Sequence, residues 1–276
     1  MTNPKSPLVD RYGQEAGHLQ DGTGYSQLLP ILSRGSCRSF KTDEVDANLV
    51  QLLCAAALAS PTKSDLQQRD IIVVRKPGLK SEIAELMSEQ SWIAEIPCLL
   101  VFCGNNRRQR RLHQLRNRPF ENDHLDAFFN AAVDAGVALS AFVLAAEAVG
   151  LGCCPISAIR NDADRVSDLL GLPQHVFPVA GLALGYPASN RPTVSPRLPL
   201  DVTVHTDRYN EDGIDDQIDR YDARRNGLLP YKNQRGENRF GTSDSYGWSE
   251  DKARQYAQQE RQGFGTFIRD KGFDLS

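Results

Sequence analysis

Apolar positions in this chain recur at two spacings, and the alternation between them divides the sequence into helices and strands. Tyr25 to Ser33 reads as a short helix, followed by a polar turn through Arg34, Gly35, Ser36, Cys37, Arg38, Ser39 and Phe40. Leu49, Leu52, Leu53 and Ala56 fall at helical spacing between about Asn48 and Ala59, with Asp46 as N-cap and Ser60-Pro61 as the stop. Arg69 to Arg75 and Cys98 to Cys103 are runs of strand length, both read as buried on two faces, and Leu79 to Met87 between them is helical. Residues 107 to 118 hold six arginines and almost no apolar surface, so a loop or solvated helix is expected. From Asp123 to Val149 the apolar residues spread around most of a helix, which predicts a central position, and Gly150 ends it. Cys153 to Ile159 reads as extended, Asp162 to Leu170 as a helix capped by Asp162 and stopped by Gly171, and Val176 to Leu184 as an apolar strand. Up to Tyr186-Pro187 the pattern is that of one α+β domain.

The two ends differ from this middle. Residues 1 to 27 contain Pro4, Pro7, Gly13, Gly17, Gly22 and Gly24 but no apolar stretch of signal-peptide length, so a mobile extension and a cytoplasmic location are expected. Beyond Pro187, the prolines at 192, 196 and 199 punctuate an extended arm, and residues 207 to 262 are polar, with Tyr209, Tyr221, Tyr231, Tyr246, Trp248 and Tyr256 scattered among charges. Such a tail cannot build its own core and has to lie on the main domain or on a second subunit, with the aromatics as anchors. The expected organisation is a flexible extension over 1–27, a core domain over 28–190, and an arm with a helical excursion over 191–276.

Hydrophobic residues at 40% and charged residues at 24% exclude collagenous and wholly disordered chains. A net charge of −3 provides no global field for nucleic acid or anionic lipid. Asn130, Asp134 and Glu147 interrupt the longest apolar segment, which argues against a membrane span. The six cysteines lie mostly in apolar runs without metal-site or Cys-x-x-Cys spacing, so neither a metal centre nor a disulfide scaffold is expected.

Phosphate-loop, dinucleotide-fingerprint, zincin and hydrolase-elbow motifs are all missing from the sequence. Three polar clusters remain. Arg34 and Arg38 with Ser36 could grip a phosphate and a nearby carbonyl, although an arginine pair is also the usual surface salt-bridge element. Ser60 to Gln67 offers hydroxyls and amides at a helix-to-strand junction, where an ordinary capped turn is the plainer reading. Gly150 to Asn161 places small residues where a flat ligand could approach the backbone, while adjacent cysteines are commonly just small core residues.

In this order the clusters resemble the nitroreductase-like FMN family, and within it the NADPH-dependent, oxygen-insensitive nitroreductase and flavin reductase subgroup. The likeness runs from about Ile31 to Arg239. Arg34-x-Ser36-x-Arg38-x-Phe40 resembles the family's opening Arg-x-Ser-x-Arg/Lys-x-Phe, which implies Arg34 and Ser36 on the FMN phosphate side and Arg38 at the flavin's pyrimidine end. Thr62, Lys63, Ser64 and Gln67 stand where the family's Ser-rich segment contacts FMN, and Gln90 where it supplies a glutamine to the isoalloxazine. Gly150 to Asn161 resembles the segment against the ring face, which implies Pro155, Ile156, Ser157, Ala158, Ile159 and Arg160 as flavin neighbours. Here Pro155, Ser157 and Ala158 replace the family's aromatic and glycine residues. Leu182-x-x-Gly185-Tyr186-Pro187 is similar to the family's strand ending. Ser195-Pro196-Arg197-Leu198-Pro199 resembles the subgroup's Lys-Pro-Arg-Leu-Pro, whose Lys and Arg bind the phosphate; Arg197 matches and Ser195 replaces the lysine. Arg235 to Arg239 resembles the Arg-rich loop that takes the NADPH 2′-phosphate, and without the resemblance would be read as a solvated charge run.

The resemblance implies a nitroreductase-like α+β fold, with a central mixed sheet flanked by helices and an extended C-terminal arm in an intertwined homodimer with FMN at the interface. It also implies an enzyme that takes hydride from NADPH in preference to NADH and passes two electrons to a nitroaromatic, quinone or flavin in a ping-pong cycle. The flavin carries the chemistry, so no catalytic side chain is required, and Arg38 would stabilise the negative charge gained on reduction. Two other classes stay open at this level. One is a non-catalytic flavin-binding or sensor protein, suggested by the altered ring-face segment, and the other a thiol redox protein using Cys153 and Cys154.

Overall fold

The computed structural model describes residues 6–87, 90–189 and 193–276. Helix α1 (Pro7–Tyr12), a 3₁₀ segment (Gln14–Asp21) and α2 (Tyr25–Ser33) open the chain. The middle runs α3 (Ala47–Leu58), β1 (Arg69–Val74), α4 (Pro77–Glu85), β2 (Cys98–Asn105), α5 (Arg107–Leu115), α6 (Leu125–Ala148), β3 (Gly152–Ile156), α7 (Ala163–Leu170) and β4 (Val176–Gly185). The tail adds α8 (Leu200–Thr203), α9 (Ile214–Leu228), α10 (Glu237–Phe240), α11 (Trp248–Tyr256) and α12 (Phe264–Asp270). The described residues form two compact units. One combines the stretch up to Gly35 with residues 193 to 260; the other combines residues 36 to 189 with the last 16 residues, Arg261–Ser276.

The larger unit is built on a four-stranded sheet of order β1-β2-β4-β3. All three pairings are antiparallel, which corrects the expected mixed sheet. The helical connections β1-α4-β2 and β3-α7-β4 join strands that are neighbours in the sheet, and each reverses the chain instead of making the crossover that a parallel pair needs. Strand alternation sorts the core into two layers. Leu99, Val101 and Cys103 face Ile83 of α4 and Val166 of α7, while Leu100 and Phe102 face Val50 and Leu53 of α3 and Ala138 and Phe142 of α6. Phe102 and Phe142 meet edge to face at 5.7 Å. β2 and β4 are buried almost throughout, but β1 is an edge strand whose middle is only half-buried, contrary to the expectation of two covered faces.

Most helices begin and end where local chemistry dictates. Asp46 caps α3 through the amides of Asn48 and Leu49, both 2.9 Å away. Asp162 accepts from the amide of Arg165, and Gly171, at φ +62°, closes α7 in the left-handed conformation that glycine adopts without Cβ strain. α6 is long and apolar enough to cross a membrane by length and composition, yet Ala131, Ala135, Ala138, Phe142 and Ala146 are fully buried, as in the core helix of a folded domain. The segment from Cys153 stays extended only to Ile156 and then turns into the 3₁₀ segment Ser157–Arg160, closed by the amide of Asn161 on the carbonyl of Ala158 at 2.9 Å. α12 returns to this unit, where Phe267, Ile268 and Phe273 cluster with Ala127, Ala131 and Phe177.

The smaller unit departs most from expectation. Residues 7–21 are helical, and Leu8, Arg11 and Ala16 are buried where a mobile extension was expected. The tail up to residue 260 is held by pairs of rings and guanidiniums rather than by an aliphatic core. Tyr221 meets Trp248 edge to face at 5.2 Å, Arg225 lies 4.0 Å from the Tyr231 ring centre, and Arg254 lies 5.2 Å from that of Tyr246.

Candidate active site

In the larger unit the Ser36 to Phe40 motif, the start of the Gly150 to Asn161 segment and the Gly185-Tyr186-Pro187 ending meet at the sheet's β3 margin. The amide of Cys37 donates to the carbonyl of Cys153 at 3.0 Å, the amide of Lys41 to Tyr186 at 2.8 Å, and the amide of Ala188 to Ser39 at 3.0 Å. Phe40 forms an antiparallel bridge with Pro187. The opening Ser36 to Phe40 motif is thus laid against the start of β3 and the Gly185-Tyr186-Pro187 ending of β4. Gly152 makes this approach feasible, because a Cβ there would stand 2.7 Å from the side chain of Cys37. Along this extended segment Cys37 is half-buried while Ser36 and Arg38 are exposed, so a hydroxyl and a guanidinium face outward. Arg38 lies over the Trp92 ring at 6.0 Å, two residues from Gln90, whose carbonyl accepts from the amide of Ile93 at 3.0 Å.

Thr62 to Gln67 forms a second donor group on a loop in unusual backbone states. Ser64, Asp65 and Gln67 have φ of 48°, 55° and 53°, where non-glycine residues persist only if their surroundings hold them. Asp134 does so. It is buried in α6, and its two carboxylate oxygens accept from the amides of Lys63 at 3.0 Å and Gln68 at 2.9 Å, pinning both ends of the loop. Thr62 Oγ1 accepts from the amide of Gln67 at 3.0 Å, and Arg108 donates to the Gln67 carbonyl at 2.9 Å. Lys63, Ser64 and Gln67 are left exposed. In the sequence Asp134 is only a break in an apolar run, and its spacing of three or four from Ala131 and Ala138, on the inner face of α6, is the signal of its role.

The ring-face segment divides by burial. Pro155 and Ser157 are exposed, whereas the side chains of Ile156, Ala158 and Ile159 belong to the core, so those three have only backbone to offer a ligand. Arg160 directs a guanidinium nitrogen to the carbonyl of Val179. Cys153 and Cys154 are buried on opposite faces of β3, Cys153 with Val143 and Leu182 and Cys154 with Val101 and Ile156. Burial likewise pushes the Cys103 thiol up to about 12 and the Cys98 thiol up to about 11.

The remaining candidates lie in the smaller unit. Arg34 and the Ser195 to Arg197 segment are drawn together by Arg11, whose guanidinium donates to the carbonyls of Arg34 and Ser195 and whose carbonyl accepts from the amide of Arg197. Arg197 is exposed and Arg34 half-buried. Arg235 lies in the turn before α10 and Arg239 within that helix. Arg235 Nε donates to Asp251 at 3.1 Å, its amide donates to Tyr246 Oη at 2.9 Å, and Arg239 donates to the carbonyl of Ala257 at 3.2 Å. Burial pushes the Asp251 carboxyl up, but hydrogen bonds from Lys252 and Tyr246 and the charges of Lys252 and Arg235 outweigh it and hold it below the ordinary value.

Within the larger unit, Ser36, Arg38, Lys63, Ser64 and Gln67 leave hydroxyl, guanidinium, ammonium and amide donors exposed, chemistry that suits an anionic, hydrogen-bonding ligand. The chain belongs to the nitroreductase family, whose model matches residues 31–186, and the model of that family's C-terminal domain matches residues 195–276. It is 32% identical over 251 residues to an FMN reductase [NAD(P)H] of Bacillus subtilis, covering 90% of this chain and 98% of the relative. It is 31% identical over 242 residues to an NADPH-flavin oxidoreductase of Vibrio harveyi, covering 88% and 95%. Among solved structures it is similar to B. megaterium NfrA2, with a TM-score of 0.80 and 29% identity over 90% of this chain and 97% of that one. It is also similar to the NADPH:FMN oxidoreductase from Vibrio harveyi complexed with NAD+, with a TM-score of 0.75 and 28% identity over 88% and 96%.

Proposed function

We propose that this chain is an FMN-dependent oxidoreductase that takes hydride from NAD(P)H, NADPH favoured, and passes two electrons to flat acceptors such as nitroaromatics, quinones or flavins in a ping-pong cycle. The observation that carries the reading is the pair of supported donor groups: Ser36 and Arg38 on the β3 margin, and the Thr62 to Gln67 loop clamped by Asp134. Their chemistry fits FMN, with exposed amides, hydroxyls and guanidiniums for a polar ring edge and ribityl chain, and Arg34 and Arg197 for the phosphate. Bound FMN would supply the two-electron chemistry. The protein's own part is to hold and orient. Arg38 presents positive charge at the pyrimidine end, Gln90 borders it, and Pro155 and Ser157 offer a small, uncharged surface beside the ring. Arg235 and Arg239 are proposed for the NADPH 2′-phosphate. Because Arg235 also braces Asp251, its Nη atoms rather than its Nε would serve that contact.

A homodimer is part of this reading. Leu125, Phe129 and Val133 recur every four residues on α6, and Phe129 and Val133 are 58% and 44% exposed. With Leu52 and Leu58 of α3, also exposed, they supply an apolar face that a second copy would cover. The cytoplasm is the proposed compartment, in keeping with cysteines used as small core residues. The test is a visible spectrum of the purified protein before and after anaerobic NADPH. Bleaching of a bound, extractable FMN is expected; an absent flavin, or FAD, would overturn the reading, and FMN inert to NADPH would favour the sensor alternative.

A further inference from the structure

We propose that Arg11, in the helical N-terminal extension, is a positioning residue for the phosphate end of the FMN site, an inference that rests on the reading of Arg34 and Arg197 as phosphate ligands. Arg11 lies upstream of residue 31, where the family match begins. Its side chain is buried, at 6% exposure, and its guanidinium fans across three backbone carbonyls. Nε donates to Leu32 at 2.9 Å, Nη1 to Ser195 at 3.3 Å and Nη2 to Arg34 at 2.6 Å. The carbonyl of Arg11 accepts in turn from the amide of Arg197 at 2.6 Å, and Arg224 adds donors to the carbonyls of Asp10 and Arg197.

Arg34 and Arg197 lie more than 160 positions apart in sequence, and one residue grips the backbone of both segments. A planar, forked cation suits this task because it holds several carbonyls at fixed angles, which an ammonium group cannot do. Its charge also sits one hydrogen bond from the Arg34 carbonyl, where it adds to the positive potential offered to a dianionic phosphate. Arg11 therefore acts through Arg34 and Arg197, setting the spacing of their side chains rather than touching the ligand.

The experiment titrates apoprotein with FMN and with riboflavin, which share the ring and ribityl chain and differ by the phosphate. In Arg11→Ala the FMN dissociation constant should rise at least about tenfold while that for riboflavin stays near the parent's. A general loosening of the fold would weaken both flavins equally, and that result, or no change for either, overturns the proposal. Arg197→Ala run in parallel separates the two levels. If it leaves the ratio of FMN affinity to riboflavin affinity unchanged, the phosphate reading itself fails; if it lowers that affinity ratio and Arg11→Ala does not, only the inference about Arg11 fails. Should Arg11→Ala fail to fold, Arg11→Lys keeps the stem and charge without the fork. It should lower the ratio by a smaller factor, and a ratio equal to the parent's would refute the positioning role.

Discussion

Replacing Asp134 is expected to disable the proposed cofactor loop from beneath without altering any of its exposed donors. Its carboxylate takes two amides, those of Lys63 and Gln68, and Gln68 is itself buried. In Asp134→Asn the side chain retains one acceptor and presents an NH₂ group to the other amide. One charge-assisted bond is thereby lost and a buried donor stranded, costing about 1.5 to 3 kcal/mol. Asp134→Ala strands both amides and should cost about 3 to 5 kcal/mol. The clamp holds a loop with three positive-φ residues, each strained by roughly 1 to 3 kcal/mol, so once one end is freed the loop should relax to ordinary conformations. FMN binding would then carry the cost of rebuilding the loop, and affinity should fall roughly ten- to a hundredfold. Urea unfolding of the apoprotein and FMN titration measure the two effects. An Asp134→Asn protein that unfolds at the parent's urea midpoint would refute the hydrogen-bond argument, and one that is destabilised yet binds FMN normally would refute the link from clamp to cofactor.

The other predictions concern charge and assembly. Arg38→Ala should lower the potential of bound FMN by roughly 10 to 20 mV, since an exposed cation acts through solvent; redox titration checks this, and an unchanged potential would remove Arg38 from the ring. The parent should prefer NADPH, and an Arg235→Ala, Arg239→Ala double variant should lose roughly ten- to a hundredfold of that preference in the specificity constant for flavin reduction. Equal use of NADH and NADPH by the parent would exclude the loop. His175 is held below its ordinary pKa, first by burial and then by Arg110, with Arg107 adding to the effect and Asp123 and the Gly272 carbonyl opposing it. The unfolded imidazole therefore protonates first, so the stability that neutral His175 confers is complete above about pH 6.5 and declines as the pH falls towards its lower folded value. Melting curves of parent and His175→Gln from pH 7.5 to 5.5 should converge on acidification, and a constant difference would contradict the linkage. Phe129→Glu with Val133→Lys should shift sedimentation from about 61 kDa to the 30.6 kDa monomer, whereas a parent that is already monomeric would refute the dimer.

The parts of this fold that were legible in the sequence are those written in local periodicity. α2, α3, α6, α7 and the strands fall within a residue or two of their predicted bounds except at the end of β3, because caps such as Asp46 and Asp162 and stops such as Gly171 act within a few positions. Strand direction was not legible, since a β-branched run reads the same whether its neighbour is parallel or antiparallel. The folded extension was missed because its burial centres on Arg11, a residue that satisfies distant carbonyls and leaves no apolar pattern. In the tail the aromatic anchors were legible but their partners were not: Arg225 with Tyr231 and Arg254 with Tyr246 stabilise it through pairs whose spacing matches no secondary-structure period. Ser36, Arg38, Lys63, Ser64 and Gln67, named from the family pattern, are exposed in the structure, while the supports beneath the Thr62 to Gln67 loop, Asp134 and Arg108, depend on tertiary contact and could not be read from spacing.

The division of the chain between its two units has a consequence for how the protein is made. The segment around Arg11 leaves the ribosome before its bonding partners at Ser195 and Arg197, which are encoded some 160 positions after Gly35. At about 5 to 20 residues per second, the nascent N-terminal helices wait roughly 10 to 30 s with Arg11 lacking its Ser195 and Arg197 partners, while the sheet of the other unit is being synthesised. That interval is a window for proteases and chaperones that the finished molecule no longer presents, and it closes only when the arm emerges. Slowing translation between residues 36 and 190 should therefore lower the yield of intact protein more than slowing it anywhere after residue 200.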